Sequence, residues 1–411
     1  MSEPRFASQQ YRRMKLLLVV NKDAWAIGTL ARFLALGAPE HWDVTIATLW
    51  DAERYPEAFR EQVSGADIVH WMLHRTVLEP PAWNSDALNV CSVHHIEDYE
   101  NSFDYLTRCQ GIVVHAERYR QLLLSKGIPE AALVCIPQPV DDAFLATGAW
   151  SLSHPKSRRL DSPFRIGFFS TAEYGLERKG IDLLPDVLGP LTASGRRYTL
   201  LVTGFKWPEL LRERSFGRLP VTLTMAPSYF DMPRLYSSLD VYLCLSRIEG
   251  GPMPVFEAAA CGVPVISTAV GRVPELLRAN YSYVDIPIGD AGAASRALRV
   301  SLEEPEEHRQ YARRAYNAVA ASLMVDRYQR LQFDFYSRLS GIPWTRSSTT
   351  AHAIKGKRTR WRAADRLYWA KELWTRGNRL RALRLATEAL CLDPFSPVFW
   401  RAIGRRIGVR L

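Results

Sequence analysis

The sequence predicts a two-domain α/β protein, in which each domain is a Rossmann-like parallel sheet, followed by a C-terminal α-helical extension. The 411 residues, of which 47% are hydrophobic, are enough for two cores of ordinary size. Short apolar segments alternate with helical ones, first before and again after a Ser-, Pro- and Arg-rich stretch at 150–163 that is typical of a linker. Basic residues are concentrated in the last part of the chain, 351–411.

The first series of segments predicts an N-terminal domain over residues 14–145. Helical patterns lie between several of the apolar segments, most clearly at 117–126. Strands that alternate with helices indicate a parallel sheet covered on both faces. The segments typical of buried strands are 15–20, 44–48, 67–70, 89–93, 112–114 and 133–136.

The second series predicts a C-terminal domain over residues 160–320, and the segment 321–341 after it contains an amphipathic aromatic helix at 326–339. The predicted strands are 164–169, 198–202, 221–223, 241–245, 263–267 and 283–285. The predicted helices are 181–188, 232–238, 255–261, 274–278 and 291–303.

The stretch from Ser246 to Pro264, SRIEGGPMPVFEAAACGVP, is the strongest candidate for a functional site. A predicted buried strand runs into it, two prolines frame a helix start, and another strand follows. This order places the loop at the carboxyl end of a strand, where open α/β sheets bind ligands. Gly250 and Gly251 allow the backbone to approach a ligand closely, and the helix start offers free N–H groups to an anion.

Two carboxylates mark this stretch, Glu249 in the loop and Glu257 in the helix. A loop that turns back over the helix would direct both into one cleft, where carboxylates accept hydrogen bonds from hydroxyl groups. Together with the helix start, they suggest a ligand in which a sugar is linked to a phosphate. The spacing alone is also typical of a plain helix start with a glutamate near the favourable end of the dipole.

The longer pattern EGGPMPVFEAAACGVPVIST resembles the signature of retaining glycosyltransferases of the GT-B fold, of the family 4 (glycosyl transferases group 1) type. That family includes glycogen and sucrose synthases and bacterial mannosyltransferases. The resemblance implies two Rossmann-like domains with an interdomain cleft. It also implies transfer of a sugar from a nucleotide-diphosphate sugar, with retention of the anomeric configuration and with no metal or other cofactor. The segment VGRVPELL at 270–277 resembles the loop and helix that follow this signature.

The resemblance implies a role for each matching residue. Glu249, with the backbone of Gly251 and Met253, would hold the hydroxyl groups of the donor sugar. Glu257 would bind the ribose hydroxyls. The helix start at Pro254 would stabilise the leaving diphosphate, the role that a metal ion plays in other enzymes.

The segment STAEYGLERKGIDLL at 170–184 resembles the family's Gly-Arg-x-x-x-x-Lys-Gly element, whose cations bind the donor diphosphate. Lys179 is the matching lysine, which implies that it binds the diphosphate. A serine or threonine occupies the position of the arginine. Either Arg178 replaces that arginine, or one cation is used.

The segment VHHIED at 93–98 follows a predicted strand, so His94 and His95 lie at its carboxyl end. Members of the family carry a histidine here that faces the donor sugar, and His94 is the better match by position. His70 and His74 form a second pair, but no carboxylate or cysteine completes a metal site around them. We therefore predict no bound metal.

Two segments depart from the family pattern. IPQPVDDAF at 136–144 resembles the family's Ile-Pro-Asn-Gly-Val-Asp-x-x-Phe element, with Gln138 and a proline in place of Asn-Gly. The loop after the first strand, NKDAWAIG, has Gly28 alone where the family has Gly-Gly. Asp23 and Trp25 in that loop are candidates for contacts with the acceptor.

The C-terminal extension, 351–411, carries 15 Lys plus Arg and 4 Asp plus Glu in a chain of net charge +10, so the rest of the chain is nearly neutral. Helices are predicted at 362–376, 379–392 and 397–407, and the first two have the residue spacing of a tetratricopeptide repeat or form a plain helical hairpin. One repeat cannot bury its own face, so it should pack on the two domains or on a partner. Its basic faces would suit an anionic membrane surface, nucleic acid or an acidic protein.

The composition predicts a cytoplasmic protein, either free or peripheral at the inner membrane surface. No apolar run is long enough to span a bilayer, and the first residues lack the apolar middle of a signal peptide. The 6 cysteines are scattered without a Cys-x-x-Cys pair, so neither structural zinc nor a disulfide framework is expected.

Several functions remain open at this point. We prefer a cell-surface or lipid-linked glycan as the acceptor. A nucleic acid or a protein held by the basic extension is the alternative acceptor. A nucleotide-sugar epimerase would use the same fold and cleft, and an inactive scaffold would use only the extension. The two glutamates and Lys179 favour sugar transfer over both.

Overall fold

The computed structural model describes residues 13–22, 26–97, 100, 102–154, 162–172, 175–193, 197–204, 206–213, 219–224, 228–344 and 351–394. The predicted α/β class is confirmed, because these residues form two parallel six-stranded sheets, each covered by helices, and a C-terminal helical region. None of the helices in this part of the chain is both long enough and apolar enough to cross a membrane.

The first sheet has the strand order β2-β1-β3-β4-β5-β6, and every neighbouring pair is parallel. Its central strands are buried on both faces, as expected for short apolar runs between helical layers. The strands are β1 Met14–Val20, β2 Trp42–Thr48, β3 Ile68–Trp71, β4 Leu88–Val93, β5 Gly111–Val114 and β6 Leu133–Cys135. The helices are α1 Ala26–Leu36, α2 Leu49–Arg54, α3 Pro56–Ser64 and α4 Glu117–Ser125.

The helix α5, Asp142–Ser153, joins the two halves of the chain. Asp141 caps its start by accepting a hydrogen bond of 2.9 Å from the backbone N–H of Ala143. The predicted linker at 150–163 therefore begins inside a helix. A Cβ atom at Gly148 would overlap with the carbonyl oxygen of Ala260, so this glycine lets α5 lie close against the second half of the chain.

The second sheet has the order β12-β11-β10-β7-β8-β9 and is also parallel throughout. Its strands are β7 Phe164–Phe169, β8 Tyr198–Thr203, β9 Val221–Thr224, β10 Val241–Cys244, β11 Val265–Thr268 and β12 Val284–Ile286. Its helices are α6 Leu184–Ala193, α7 Trp207–Leu210, α8 Met232–Ser237, α9 Met253–Ala260, α10 Val273–Leu276, α11 Ala291–Glu303 and α12 Pro305–Ser322.

The helix α13, Val325–Ser340, contains the amphipathic aromatic segment and packs on the first sheet's domain. Its Tyr336 is fully buried and lies 2.6 Å, from the phenol oxygen to Nδ1, from His70 at β3. Gln329 donates a hydrogen bond of 2.6 Å to the carbonyl oxygen of Phe33 in α1. The chain thus returns to the first domain after completing the second.

The C-terminal extension forms a helical hairpin of α14 Ala351–Thr375 and α15 Arg379–Leu392. α14 begins eleven residues before the predicted helix at 362. Trp361, 4% exposed, packs against Phe33 of α1 and stacks on Tyr229 of the second domain, with ring centroids 5.7 Å apart. The extension therefore packs on both domains. The third helix predicted at 397–407 lies outside the described residues.

Candidate active site

The two domains meet at the loop between β10 and α9. A Cβ atom at Gly250 would overlap with the backbone carbonyl oxygen of His94, which follows β4 of the first domain. Tyr119 of α4 donates a hydrogen bond of 2.9 Å to the backbone carbonyl oxygen of Glu249. In the second domain, the N–H of Arg272 donates to the carbonyl oxygen of Gly250 at 2.8 Å. This loop is therefore held from both sides of the cleft.

The carboxylate of Glu249 lies among cations. It is 9% exposed, and its Oε1 accepts hydrogen bonds from Lys179 and, at 3.0 Å, from the hydroxyl group of Ser246. The guanidinium of Arg178 lies 3.8 Å from Oε2. Burial by itself would raise the pKa of Glu249, but the charges of Lys179 and Arg178 hold the pKa below its ordinary value. Glu249 is therefore an anion at neutral pH.

Lys179 reaches Glu249 because of the glycine that follows it. Gly180 has a φ of 69°, and a Cβ atom there would overlap with the carbonyl oxygen of Leu245 at the end of β10. The Lys179 side chain is 25% exposed, so it is less buried than the carboxylate that it contacts.

Arg178, the alternative to the family's missing arginine, lies between carboxylates of the two domains. Its Nε lies 3.7 Å from Oε1 of Glu97 in the first domain, and its Nη1 lies 3.8 Å from Glu249. Ser170, one of the two residues at the family's arginine position, directs its hydroxyl group to the carbonyl oxygen of Thr171. The structure thus brings Arg178, not residue 170, beside Glu249.

A charged network that the sequence did not indicate lies on the first-domain side of Arg178. Arg75 and Glu100 form an ion pair, and Nε2 of His74 lies 3.1 Å from Glu100. Burial would raise the pKa of Glu100, but the hydrogen bonds from His74 and Arg75 lower it to about 2. The carboxylate of Glu97 lies near both Arg178 and His95, and Nε2 of His95 is 3.1 Å from its Oε1.

Glu257 lies on α9 in different surroundings from Glu249. It is 6% exposed, and its Oε2 accepts a hydrogen bond of 2.8 Å from the hydroxyl group of Tyr236 in α8. Burial raises the pKa of Glu257 to about 7, and the charge of Asp141 acts in the same direction. The two glutamates therefore differ in charge near neutral pH, since Glu249 is ionised and Glu257 is close to its midpoint.

The helix α9 begins at Met253, two residues before the predicted start, and ends at Ala260. Pro252 precedes it without a side-chain cap, and Pro254 lies in its first turn, where a proline costs no hydrogen bond. Met253 packs in the core of the first domain, since it is 7% exposed beside residues such as Tyr328. The start of α9 consequently lies at the boundary between the two domains.

His94 uses both ring nitrogen atoms within the first domain. Its Nε2 lies 2.8 Å from the carbonyl oxygen of Met72, and its Nδ1 lies 3.0 Å from the amide nitrogen of Gln138. The ring of His115 is 4.5 Å away. Burial and the neighbouring His115 lower the pKa of His94 well below its ordinary value, so the imidazole is neutral. In the sequence, Gln138 differs from the family's asparagine, and nothing there indicates its contact with His94.

The second histidine pair does not form a metal site. His70 bonds Tyr336 and Ser92, and His74 bonds Glu100. Within the ranges that the structure describes, no three His, Cys, Asp or Glu side chains are grouped so that they could hold a metal ion. The acceptor candidates Asp23 and Trp25 lie outside those ranges.

Comparison with known proteins identifies similar sequences for one part of the chain. Residues 168–318 match the family described as Glycosyl transferases group 1. Over 109 residues the chain is 31% identical to N-acetyl-alpha-D-glucosaminyl L-malate synthase of Bacillus anthracis, a match that covers 25% of this chain and 28% of that protein. Over 108 residues it is 33% identical to one component of the phosphatidylinositol N-acetylglucosaminyltransferase of Homo sapiens, covering 25% and 22%. The matches span less than a third of either relative.

Similar solved structures cover both domains. Anabaena Alr3699/HepE in complex with UDP and glucose superposes with a TM-score of 0.64 at 14% identity, covering 79% of this chain and 99% of that one. Sucrose-phosphate synthase from Thermosynechococcus elongatus superposes with a TM-score of 0.62 at 16% identity, covering 80% and 100%. The chain therefore has the two-domain, GT-B-like fold of these structures.

Proposed function

We propose that this chain is a glycosyltransferase that moves a sugar from a nucleoside-diphosphate sugar to a hydroxyl group of an acceptor, with retention of the anomeric configuration. The main observation in support of this proposal is the contact between the ammonium group of Lys179 and the carboxylate of Glu249. Glu249 is a buried anion in a loop that touches the first domain. Lys179, Glu249 and Glu257 all lie within 168–318, the part that matches the group 1 glycosyltransferases.

The diphosphate of the donor would replace Glu249 as the ion-pair partner of Lys179. A diphosphate binds an ammonium group more strongly than one carboxylate does, since it offers several anionic oxygen atoms. Oε1 of Glu249 would then keep only its hydrogen bond from Ser246 and could accept another from a sugar hydroxyl. The first turn of α9 would add backbone N–H groups and the positive end of its dipole.

The nucleoside would bind next to Glu257. A carboxylate accepts the two hydroxyl groups of a ribose, and Tyr236 fixes the side chain by occupying Oε2. HepE was solved with UDP and glucose, with UDP alone and with UDP-glucose. These three structures support a UDP-sugar as the first donor to test. The names of both relatives contain an N-acetylglucosaminyl group, which supports UDP-N-acetylglucosamine as a second donor to test beside UDP-glucose.

In the transfer step, the bond between the anomeric carbon and the diphosphate oxygen breaks, and the acceptor oxygen bonds the same carbon on the same face. The proton of the acceptor hydroxyl passes to the departing diphosphate. Lys179 stabilises the negative charge that develops on this leaving group. His94 takes no proton, because Nε2 carries its own hydrogen toward Met72 and Nδ1 is engaged by Gln138.

The acceptor that we prefer is a cell-surface or lipid-linked glycan, and the name of the human relative contains a lipid, phosphatidylinositol. The basic extension, 351–411, would then bring the enzyme to an anionic membrane surface. A protein or nucleic-acid acceptor is the alternative that the same basic residues allow.

The test is a thermal-shift screen with UDP, UDP-glucose, UDP-N-acetylglucosamine, GDP-mannose and ADP-glucose. The screen compares the unaltered protein with the variant Glu257→Gln. The matched control is Glu307→Gln, at an exposed position of α12. We expect one nucleotide class to raise the Tm of the protein and of Glu307→Gln but not of Glu257→Gln. Nuclear magnetic resonance of the transferred sugar then tests retention. Isomerised donor without an acceptor would indicate an epimerase, and no shift with any nucleotide would favour the inactive scaffold.

A further inference from the structure

Gln138 has an unusual position in the cleft. It lies between β6 and α5, is 7% exposed, and faces the loop of the second domain. A Cβ atom at Gly251 would lie 2.9 Å from Oε1 of Gln138. The amide oxygen of a first-domain side chain therefore points at the glycine loop that carries Glu249.

The hydrogen bonds of His94 fix which way the Gln138 amide points. A carbonyl oxygen only accepts, so Nε2 of His94 carries a hydrogen toward Met72, 2.8 Å away. The neutral imidazole then has a lone pair on Nδ1, which needs a donor. The group 3.0 Å from Nδ1 must be the NH₂ of Gln138, and the amide oxygen must point the other way, to Gly251.

That amide oxygen is buried and has no hydrogen-bond partner among the described residues. Leaving a buried acceptor without a donor costs about 1–3 kcal/mol of stability, so buried acceptors in folded proteins nearly always have a donor. Because residue 251 is a glycine, no side chain stands between this oxygen and the loop of Glu249. A ligand hydroxyl at this loop would supply the missing donor.

We infer that Gln138 is the group through which the first domain recognises the transferred sugar. Its amide oxygen accepts a hydrogen bond from a sugar hydroxyl at the Gly250–Gly251 loop, and its amide nitrogen holds His94 in the Nε2–H tautomer. This inference rests on the proposed function for the sugar contact, whereas the contact with His94 is independent of it. A sugar held between Gln138 and Glu249 would touch both domains at once.

Two variants separate these roles. Gln138→Met keeps the length of the side chain and loses both polar atoms, whereas Gln138→Glu keeps an acceptor oxygen and loses the N–H donor. Gln121→Met, on an exposed position of α4 in the same domain, is the matched control. Calorimetry measures the dissociation constants of UDP and of UDP-glucose or UDP-N-acetylglucosamine for each variant.

We expect Gln138→Met to weaken binding of the nucleotide sugar about tenfold, the effect of one buried hydrogen bond, and to change UDP binding less than about twofold. Gln138→Glu should recover part of the preference for the nucleotide sugar over UDP. Equal losses for UDP and the nucleotide sugar would mean a structural role and would overturn the sugar contact, as would no loss for either.

The state of His94 is measured separately by long-range ¹⁵N–¹H correlation of the imidazole rings. The titratable groups that face His94 are His74, His95 and His115. We expect the Nε2–H tautomer in the protein, and a His94 pKa that rises in Gln138→Met, because the lone pair of the neutral form loses its donor. An unchanged tautomer and pKa would overturn the positioning of His94.

The two measurements also distinguish failure of this inference from failure of the proposed function. If the unaltered protein binds none of the nucleotide sugars, both the proposed function and the sugar contact are wrong. The resonances of His94 then still decide whether Gln138 positions it. If the protein binds a nucleotide sugar and Gln138→Met binds it equally well, only the inference about Gln138 is wrong.

Discussion

The hydroxyl group of Tyr119 in the first domain donates a hydrogen bond of 2.9 Å to the backbone carbonyl oxygen of Glu249 in the second. Glu249 belongs to the loop that also contacts the backbone of His94, so Tyr119 helps to set the distance between the domains at the candidate active site. Burial raises the pKa of Tyr119 to about 12, and the phenol keeps its proton, and hence this hydrogen bond, over the whole physiological range.

Tyr119→Phe should lower kcat/KM for the donor about fivefold, because one hydrogen bond that aligns the loop is lost. The Tm should change little, since the ring remains packed. Steady-state kinetics of transfer with varied donor checks this. Tyr281→Phe, at an exposed ring of the second domain, is the control and should leave kcat/KM unchanged. An unchanged kcat/KM in Tyr119→Phe would show that the loop needs no tie to the first domain.

Lys179→Met should weaken UDP binding about 30-fold or more, because the diphosphate loses its cation and because Glu249 is left as a buried anion beside it. UMP, which has one phosphate group fewer, should lose less affinity. Calorimetry with both nucleotides measures the difference.

Lys126→Met, at the exposed end of α4, is the control for the loss of a lysine. The double variant Lys179→Met with Glu249→Gln should recover part of the Tm that Lys179→Met loses, because the unpaired charge is removed. Equal losses for UDP and UMP would place Lys179 away from the second phosphate group.

The affinity for UDP-glucose should increase about tenfold from pH 6 to pH 8, since the ribose hydroxyls need the ionised form of Glu257, whose pKa burial raises to about 7. The diphosphate of UDP-glucose does not titrate in this range. Calorimetry at several pH values follows the change. Glu257→Gln should bind weakly and with little dependence on pH, and a similar pH dependence in this variant would assign the effect to another group.

Glu257 should also affect the pH dependence of stability, with the opposite trend. Its pKa is higher in the folded protein than in the unfolded chain, so the folded state binds more protons between about pH 4.5 and pH 7. The stabilisation is complete below the unfolded pKa and is lost as the pH rises through 7, by about 3 kcal/mol at most.

Thermal unfolding of the protein and of Glu257→Gln at pH 5 and pH 8 measures this effect. The Tm of the variant relative to the protein should increase with pH, because glutamine cannot ionise. Glu307→Gln should show no such trend. A constant difference between the protein and Glu257→Gln would mean that the carboxyl has an ordinary pKa.

Trp361→Ala should release α14 from both domains, because this ring joins Phe33 to Tyr229 and Phe230. Loss of a buried tryptophan costs about 3–5 kcal/mol. Hydrogen exchange should therefore speed up in α14 and at 228–231 but remain slow in β1. Leu380→Ala, at an 86% exposed position of α15, is the control. Unchanged exchange at 228–231 would show that the extension does not stabilise the second domain there.

The strands and the core of the candidate site could be predicted from the sequence because they depend on local patterns. The helix at 291–303 and the strand at 164–169 have the predicted bounds, since each follows from one unbroken pattern of apolar residues. The helix α12, Pro305–Ser322, was missed, because its mostly polar and charged residues hide the buried stripe that includes Ala312, Ala315 and Val319.

What the sequence could not provide is the pairing of residues that are distant in the chain. His74 bonds the carboxylate of Glu100, which lies 26 residues further along the chain. No sequence motif joins these two residues. Gln138 forms a hydrogen bond with His94 because the two residues follow β6 and β4, which end at the same edge of the sheet. Similarly, the first part of α14, before the predicted start at 362, contains Arg358, whose partner Asp141 is 217 residues away and gives no pattern with it.

The position of α14 across both domains gives the extension a mechanical property. Arg358 pairs with Asp141, and Arg366 donates hydrogen bonds of 2.5 and 2.9 Å to Asp231. α14 has 25 residues and is about 37 Å long. The nine residues of α14 beyond Arg366 form an arm of about 14 Å, so a rotation of about 10° of the anchored part moves the end at Thr375 by about 2 Å. A fluorophore on α15 would therefore report domain rotation at the cleft without touching the site.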